Sequence, residues 1–357
     1  MRWAPCLVVG WLLLHPWARA ADVVVTNAAA FRLMAANLTG NSQKYEGFAI
    51  RIFQGLAPDV VAIQEFNHRN NTPADIRTLV DAGFGTNFVF FREAGFQLPN
   101  GIVSRFPLRR AGSWRDAEIS NRGFAWAEVD LPGPRDLFLV SVHLKAGGGD
   151  ADVRARQATA LRTLILANAP PGAFVALAGD LNVASRNEAA MTTFRTFLSD
   201  EPVPADAAGN PNTNNGRERP YDQVLADPLL AAAQVPTVVG AARFANGLVF
   251  DSRVFNPLSA VAPVQRADSG LAQHMAVSRD YRVSWLVTNA VPAPRLRLPG
   301  RDSVEWDAIP GARYRVELRG DVVPWTTNRT LVATGSVVVV DAPAGTAPLT
   351  IVRVAAE

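Results

Sequence analysis

The run Phe174-Val175-Ala176-Leu177-Ala178-Gly179-Asp180-Leu181-Asn182 decides how the rest of the chain is read. Its apolar part has the length and composition of a buried strand, and it halts at Gly179 with two polar residues just beyond. On an extended backbone Asp180 and Asn182 face one side and Leu181 the other. A carboxylate and a carboxamide side by side at a strand end suit holding a water molecule and a hard cation. They equally suit a turn, since Asp and Asn cap loops in every class of protein. The rest of the chain separates the two readings.

Working outward, other apolar runs stop on polar residues in the same way. Residues 31–36 end at Asn37, 60–63 run into Gln64-Glu65, and 137–142 stop at His143. A short strand at 221–225 carries Asp222, and His274 stands just before a closing strand at 275–286. Residues 45–56 read as an amphipathic helix with Phe48, Ile52, Phe53 and Leu56 on one face, and 152–168 as another. Further strands are expected at 88–91, 101–103 and 125–129. Strands and helices interleave, which predicts an α/β architecture. In such a sheet, strand ends gathered at one edge form a shared cleft.

The residue types collected there are amides, carboxylates and two of the three histidines outside the leader. Oxygen ligands hold a hard divalent cation that polarises a phosphoryl oxygen. An acid or imidazole orients water, and an imidazolium offsets the charge that develops on phosphorus. The set therefore points to metal-assisted hydrolysis of a phosphate ester.

Residues 1–20 read as a secretory leader: Arg2, an apolar core at 4–14, and the small-x-small site Ala18-Arg19-Ala20. The apolar core is shorter than the ~20 residues that span a bilayer, and no later stretch is longer, so a secreted protein (extracellular or periplasmic) without a transmembrane segment is expected. Cys6 is the only cysteine and lies in the leader, which excludes disulfides and thiolate chemistry downstream. Without Arg2 and Arg19 the net charge falls from +3 to +1, which excludes a strongly basic polyanion-binding surface. Beyond a Pro-rich linker at 287–294 the pattern alternates with period two, as at Val304 and Trp306 or Tyr314, Val316 and Leu318. Five or six short strands in a small β-sandwich are expected at 295–357.

Taken in order, these stretches resemble the endonuclease/exonuclease/phosphatase superfamily, the DNase I-like group. Phe31-Arg32-Leu33-Met34-Ala35-Ala36-Asn37 is similar to its first strand, and Pro58-Asp59-Val60-Val61-Ala62-Ile63-Gln64-Glu65 to its metal-glutamate segment. Asn100-Gly101-Ile102-Val103-Ser104-Arg105-Phe106-Pro107-Leu108 resembles a core strand and turn. Val140-Ser141-Val142-His143-Leu144-Lys145, Gly179-Asp180-Leu181-Asn182 and Tyr221-Asp222-Gln223-Val224-Leu225 complete the match, which covers roughly residues 28 to 286 of a catalytic domain expected at 21–286. The resemblance implies a four-layer sandwich of two β-sheets flanked by helices. It further implies that Glu65 and Asn37 ligate Mg²⁺ (Mn²⁺ or Ca²⁺ in its place), with Asp180 and Asn182 at the water, the phosphate or a second metal. His143 and His274, the latter paired with Asp222, then act on the transition state.

One departure stands out: the family usually ends on Ser-Asp-His, and this chain reads Ala272-Gln273-His274. Asp268 could substitute, though a solvated loop residue is the plainer reading. Lys145, Arg217, Arg219 and Gln273 are candidate substrate contacts, and His68 reads as a surface-loop residue. Asn70-Asn71-Thr72 and Asn328-Arg329-Thr330 fit glycosylation sequons. The C-terminal module resembles fibronectin-III-like accessory domains, with Trp306 and Trp325 able to line a polysaccharide or surface-association face, core packing being the better assignment for Trp306. A monomeric secreted phosphodiesterase acting on nucleic acid is expected. A phospholipid or inositol-phosphate phosphoesterase of the sphingomyelinase type, and a catalytically impaired binding protein of the same fold, are the alternatives.

Overall fold

Strands buried on both faces organise the chain. In the computed structural model residues 22–290 are described without a break, and beyond them 296–297, 303–308, 310, 313–319, 326–334, 337–341 and 351–356. The leader expected at 1–20, linker residues 291–294 and Trp325 lie outside the described residues. The elements begin β1 (Asp22–Ala36), α1 (Gly47–Leu56), β2 (Val60–Ile63), α2 (Pro73–Phe84), β3 (Val89–Arg92), β4 (Gly101–Ser104), β5 (Leu108–Arg115), β6 (Gly123–Val129) and β7 (Leu137–His143). Next come α3 (Ala151–Asn168), β8 (Phe174–Asp180), α4 (Ala189–Phe194), β9 (Asp222–Ala226), α5 (Pro228–Ala232) and β10 (Gln234–Val235). Then follow β11 (Thr237–Val239), β12 (Ala242–Phe244), β13 (Leu248–Phe250), α6 (Asp268–Leu271) and β14 (Ala276–Ala290). The C-terminal strands are β15 (Leu296–Arg297), β16 (Ser303–Asp307), β17 (Arg313–Arg319), β18 (Thr326–Val332), β19 (Val337–Asp341) and β20 (Ile351–Ala356). The chain divides into one unit of Ala28–Trp285 and another of Leu286–Glu357 with the residues up to Asn27. No helix among the described residues is long and apolar enough to cross a membrane.

The larger unit holds two large sheets, in the orders β10-β14-β1-β2-β4-β3, with β13 beside β14, and β5-β6-β7-β8-β9, and a small two-stranded sheet β11-β12. Alternation along the strands sorts side chains into three cores. Leu33, Ala35, Val60 and Ala62 face Leu139, Ala176, Ala178 and Val224 between the sheets. Met34, Val61 and Ile63 turn outward onto Phe48, Ile52 and Phe53 of α1 and Leu79 and Val80 of α2. Phe138, Val140 and Leu177 do the same toward Leu161 and Ile165 of α3 and Met191 and Phe194 of α4. The layers are thus helix, sheet, sheet, helix, the four-layer sandwich expected. Each such buried Leu, Ile or Phe contributes roughly 1.5–3 kcal/mol relative to exposure.

Some local expectations change. Helix α1 starts at Gly47, not at residue 45, because Tyr45 turns inward. Its hydroxyl lies 2.7 Å from Ala36 O and 2.9 Å from Gln64 O, pinning the ends of β1 and β2. Helix α2 was not anticipated; Thr72 and Asp75 cap it reciprocally and Pro73 opens it. The C-terminal strands form two antiparallel three-stranded sheets, β15-β16-β19 and β18-β17-β20. Trp306 is fully buried with its ring 5.7 Å from Tyr314, so it is a core residue and not a ligand platform.

Candidate active site

Strand register sets the polar strand ends in a row. Parallel β7 and β8 pair His143 with Asp180, and antiparallel β8 and β9 pair Asp180 with Asp222. On the other sheet β1 and β2 pair Ala36 with Ile63, so Asn37 and Glu65 follow at the same edge. The two rows meet where Asn37 Nδ2 donates to Asp180 Oδ2 at 3.1 Å. Gln64 Nε2 donates to Ser141 Oγ at 2.9 Å, a second buried tie between the sheets.

The close approach of the sheets explains Gly179. Its φ is 140°, and a Cβ there would lie 2.1 Å from Val142 O and 2.7 Å from Gln64 Nε2. Extended geometry ends at Asp180, which corrects the simple alternation read from the sequence. Asn182 adopts φ 49°, donates its N–H to Asp180 Oδ1 at 2.9 Å and its Nδ2 to Leu144 O at 3.1 Å. A left-handed turn, tolerated by Asn, therefore places the carboxamide. Glu65 also has a positive φ, 49°, a backbone cost of order 1–3 kcal/mol at the residue the cation reading depends on.

Asp180 is 1% exposed and central to the site. His143 Nε2 lies 3.3 Å and His274 Nδ1 3.6 Å from its Oδ2. Burial opposes its charge, but His274, His143, Asn37 and the Asn182 N–H together hold it below the usual carboxylate range. His274 Nδ1 lies 2.8 Å from Asp222 Oδ2. Burial works against its proton, yet Asp222 and Asp180 outweigh burial and raise its pKa to about 9. His143 goes the other way: burial exceeds the pull of Asp180 and lowers it to about 3, leaving a neutral ring. Burial raises Asp222 to about 6 against the pull of His274. The two histidines thus take different protonation states in one site.

Asp180, Asp222 and His274 each offer one ligand atom, all within 4.8 Å of one another, so the group could bind a metal ion. The Nδ1 of His274 is committed to Asp222, however, and a cationic ring has no lone pair to give. Glu65 and Asn37 fit a hard cation better. Glu65 is 4% exposed, no ion pair reaches it among the described residues, and its Oε2 accepts from Thr39 Oγ1 at 2.7 Å. Burial raises its pKa by more than the Thr39 hydrogen bond and the charges of His274 and Arg122 offset. A buried carboxylate beside a carboxamide is a donor set suited to Mg²⁺.

The other candidates divide. Gln273 lies at the site, its Nε2 donating to Gly40 O at 2.7 Å with Thr39 Oγ1 at 3.3 Å. Lys145 pairs with Asp150 at 3.4 Å, and Arg219 donates to Ala184 O at 3.3 Å while remaining exposed. Arg217 is corrected: its guanidinium is tied to Asp206 and to Asp251, so it braces the loop and is not free to hold a phosphate. Asp268 is buried and paired with Arg51 at 2.5 Å, neither solvated nor a stand-in at the site. His68 is also buried, its Nδ1 2.8 Å from Tyr45 O.

Two residues were missed. Thr39 links Glu65 to Gln273. Arg122, just before β6, is 5% exposed and reaches Leu144 O at 3.2 Å, the carbonyl that also receives Asn182. Its charge acts on Asp180 and Glu65, and burial lowers its own pKa. Its position before an apolar strand was the only available signal.

The model of the Endonuclease/Exonuclease/phosphatase family matches residues 34–245. No curated protein matches. Among solved structures, an endonuclease/exonuclease/phosphatase protein from Beutenbergia cavernae DSM 12333 aligns with a TM-score of 0.50 at 16% identity, covering 92% of this chain and all of that one (100%). A functionally unknown conserved protein from Enterococcus faecalis V583 aligns with a TM-score of 0.50 at 10% identity, over 72% of this chain and 100% of that one. The human nocturnin catalytic domain with bound sulfate gives 0.48 at 16% identity, over 74% and 98%.

Proposed function

Because the chain belongs to the endonuclease/exonuclease/phosphatase family, and is thus a metal-dependent hydrolase of phosphate ester bonds, we propose that it is a secreted phosphodiesterase that cleaves nucleic acid. The observation that carries the site is Asp180, held charged in a buried cluster that Asn37, His143, Asn182 and His274 all reach. Glu65 and Asn37 hold the divalent cation, Mg²⁺ in this reading, which when bound polarises the phosphoryl oxygen. Asp180 accepts from the attacking water and orients it; a carboxylate held below its ordinary pKa is a better orienting group than a proton acceptor. His274, kept protonated by Asp222, offsets the charge that grows on the phosphoryl oxygens. Neutral His143 and the Asn182 carboxamide fix the phosphate by hydrogen bonds, and Arg122 supplies the buried positive charge behind them.

Export follows from the leader expected at 1–20. The preference for nucleic acid over a lipid rests on the polar 200–220 loop, whose Asn210, Asn212 and Asn215 side chains bond back within the loop and to the turn before β14. That loop offers no apolar wedge for a bilayer. The C-terminal module acts as an accessory to an otherwise monomeric enzyme. Hydrolysis of DNA, RNA, sphingomyelin and bis-p-nitrophenyl phosphate, each with and without EDTA, tests the reading. EDTA-sensitive cleavage of DNA or RNA is expected, abolished in Glu65→Ala and Asp180→Ala. Cleavage of sphingomyelin alone would transfer the assignment to lipids, and full activity in either variant would refute the site.

A further inference from the structure

We propose that Gln273 sets how tightly the Glu65 site holds its divalent cation, acting through the Thr39 hydroxyl as a positioning residue; this rests on Glu65 and Asn37 being the cation's oxygen donors. Gln273 lies in the turn between α6 and β14, directly before His274. Its N–H donates to Thr39 O and its carbonyl accepts from the Asn215 N–H, both at 2.8 Å. The side chain is therefore delivered to one place.

Donor counting fixes the direction of the relay. The Gly40 carbonyl, 2.7 Å away, requires the NH₂ end of the amide to face it, and the same nitrogen stands 3.3 Å from Thr39 Oγ1. An amide nitrogen only donates, so it occupies a lone pair of Thr39 Oγ1 and leaves the hydroxyl's single hydrogen for an acceptor. Glu65 Oε2 at 2.7 Å is nearer than Asn37 Oδ1 at 3.4 Å. Thr39 is fully buried, so no bulk water competes for that hydrogen. One carboxylate oxygen of Glu65 is thereby fixed and partly neutralised, and the other is presented to the cation.

A neutral side chain at 273 also adds no negative charge to the cation's surroundings. Glutamate, of the same length, would reverse both effects. It would compete with Glu65 for the Thr39 hydrogen and would bring a second carboxylate to the site, where low dielectric magnifies its attraction for a cation. Gln273 thus holds the site at one carboxylate and keeps the cation exchangeable. Removing the relay without adding a charge acts in the opposite sense: Gln273→Leu leaves the Thr39 hydroxyl unoriented, Thr39→Val takes the donor from Glu65 Oε2, and either frees the carboxylate from its fixed position with no new charge to offset the loss.

The test is cation binding without substrate. The full chain, stripped with EDTA and dialysed, is titrated with Mn²⁺ followed by the spin resonance of the free ion, and with Mg²⁺ followed by the rise in thermal unfolding midpoint. Gln273→Glu is expected to tighten binding about tenfold or more, while Gln273→Leu and Thr39→Val weaken it about threefold to tenfold and Thr39→Ser matches the wild type. Opposite signs at one position separate this role from simple packing, which any substitution would loosen. A wild type that binds while Gln273→Glu binds no more tightly would overturn the role of Gln273 alone. A wild type that binds neither ion would overturn the Glu65–Asn37 assignment beneath it. If Gln273→Glu does not fold, the hydroxyl pair decides: Thr39→Val no weaker than Thr39→Ser refutes the relay.

Discussion

At the scale of single residues the site works by splitting two histidines that begin with the same chemistry. Both are buried, and burial alone removes a proton from each. His143 has only Asp180 to oppose that and stays neutral; His274 has Asp222 in direct contact as well and stays charged. The imidazolium form of His274 is present below its raised pKa of about 9 and is lost above it, so kcat/KM should fall on the alkaline side near that pH. Asp222→Asn removes the largest source of the rise, and the alkaline limb should move down by about one unit or more in a profile of kcat/KM against pH. The stability contribution follows the same sign: it is full below the ordinary histidine pKa and disappears as pH rises through about 9. An unmoved limb in Asp222→Asn would detach the alkaline loss from His274.

At the scale of elements, positions that strand periodicity controls were legible and positions set by distant partners were not. Asn37, Glu65, His143, Asp180 and Asp222 could be found because each ends or begins a strand buried on both faces. Helix α2 carried its own signal, Thr72-Pro73-Ala74-Asp75, a capping box that shares Thr72 with a sequon and went unread. Strand β5 was hidden because it is an edge strand whose side chains are largely exposed, so no apolar run marks it. Thr39 and Arg122 act through partners 26 and 22 positions away, which no local pattern encodes. The same holds for the brace behind the site. Arg154 of α3, with no exposed side-chain surface, pairs with Glu188 and donates to Lys145 O at 3.0 Å and Gly147 O at 2.8 Å. Glu188 in turn accepts from Ala184 N at 2.6 Å. One ion pair therefore fixes the loops that leave β7 and β8, the loops of His143 and Asn182. Arg154→Met should cost about 1–3 kcal/mol by leaving the half-buried Glu188 and two loop carbonyls without their donor, read as a lowered urea midpoint with a matching drop in kcat/KM. The Arg154→Met, Glu188→Leu double variant should recover much of the stability but not the activity, since the loop carbonyls remain unheld.

At the scale of the whole molecule, every residue assigned to the site lies within Ala28–Trp285. A chain ending at residue 290 should keep kcat/KM on bis-p-nitrophenyl phosphate within about twofold, as expected of a unit with its own core. Charge then decides how the enzyme meets a polymer. The chain without its leader carries a net charge of only +1, and cations beside the site are held by internal carboxylates. Arg217 is tied to Asp206 and Asp251, and Lys145 lies against Asp150. Among the described residues near the site, Arg122 and Arg219 are the guanidinium groups without a carboxylate partner, which sets the number of phosphates neutralised at about two. A protein that neutralises many phosphates releases many counterions, and its affinity collapses as salt rises. With two, KM for a DNA or RNA substrate should rise only about tenfold between 50 and 200 mM salt, against about a thousandfold or more for six to ten contacts. A shallow slope would mean that the substrate is gripped at the scissile phosphate and little else, so that short or irregular strands are cut as readily as long duplexes. A steep one would require a second, basic surface beyond the site, and the accessory module would then be the place to look for it by repeating the measurement on the chain ending at residue 290.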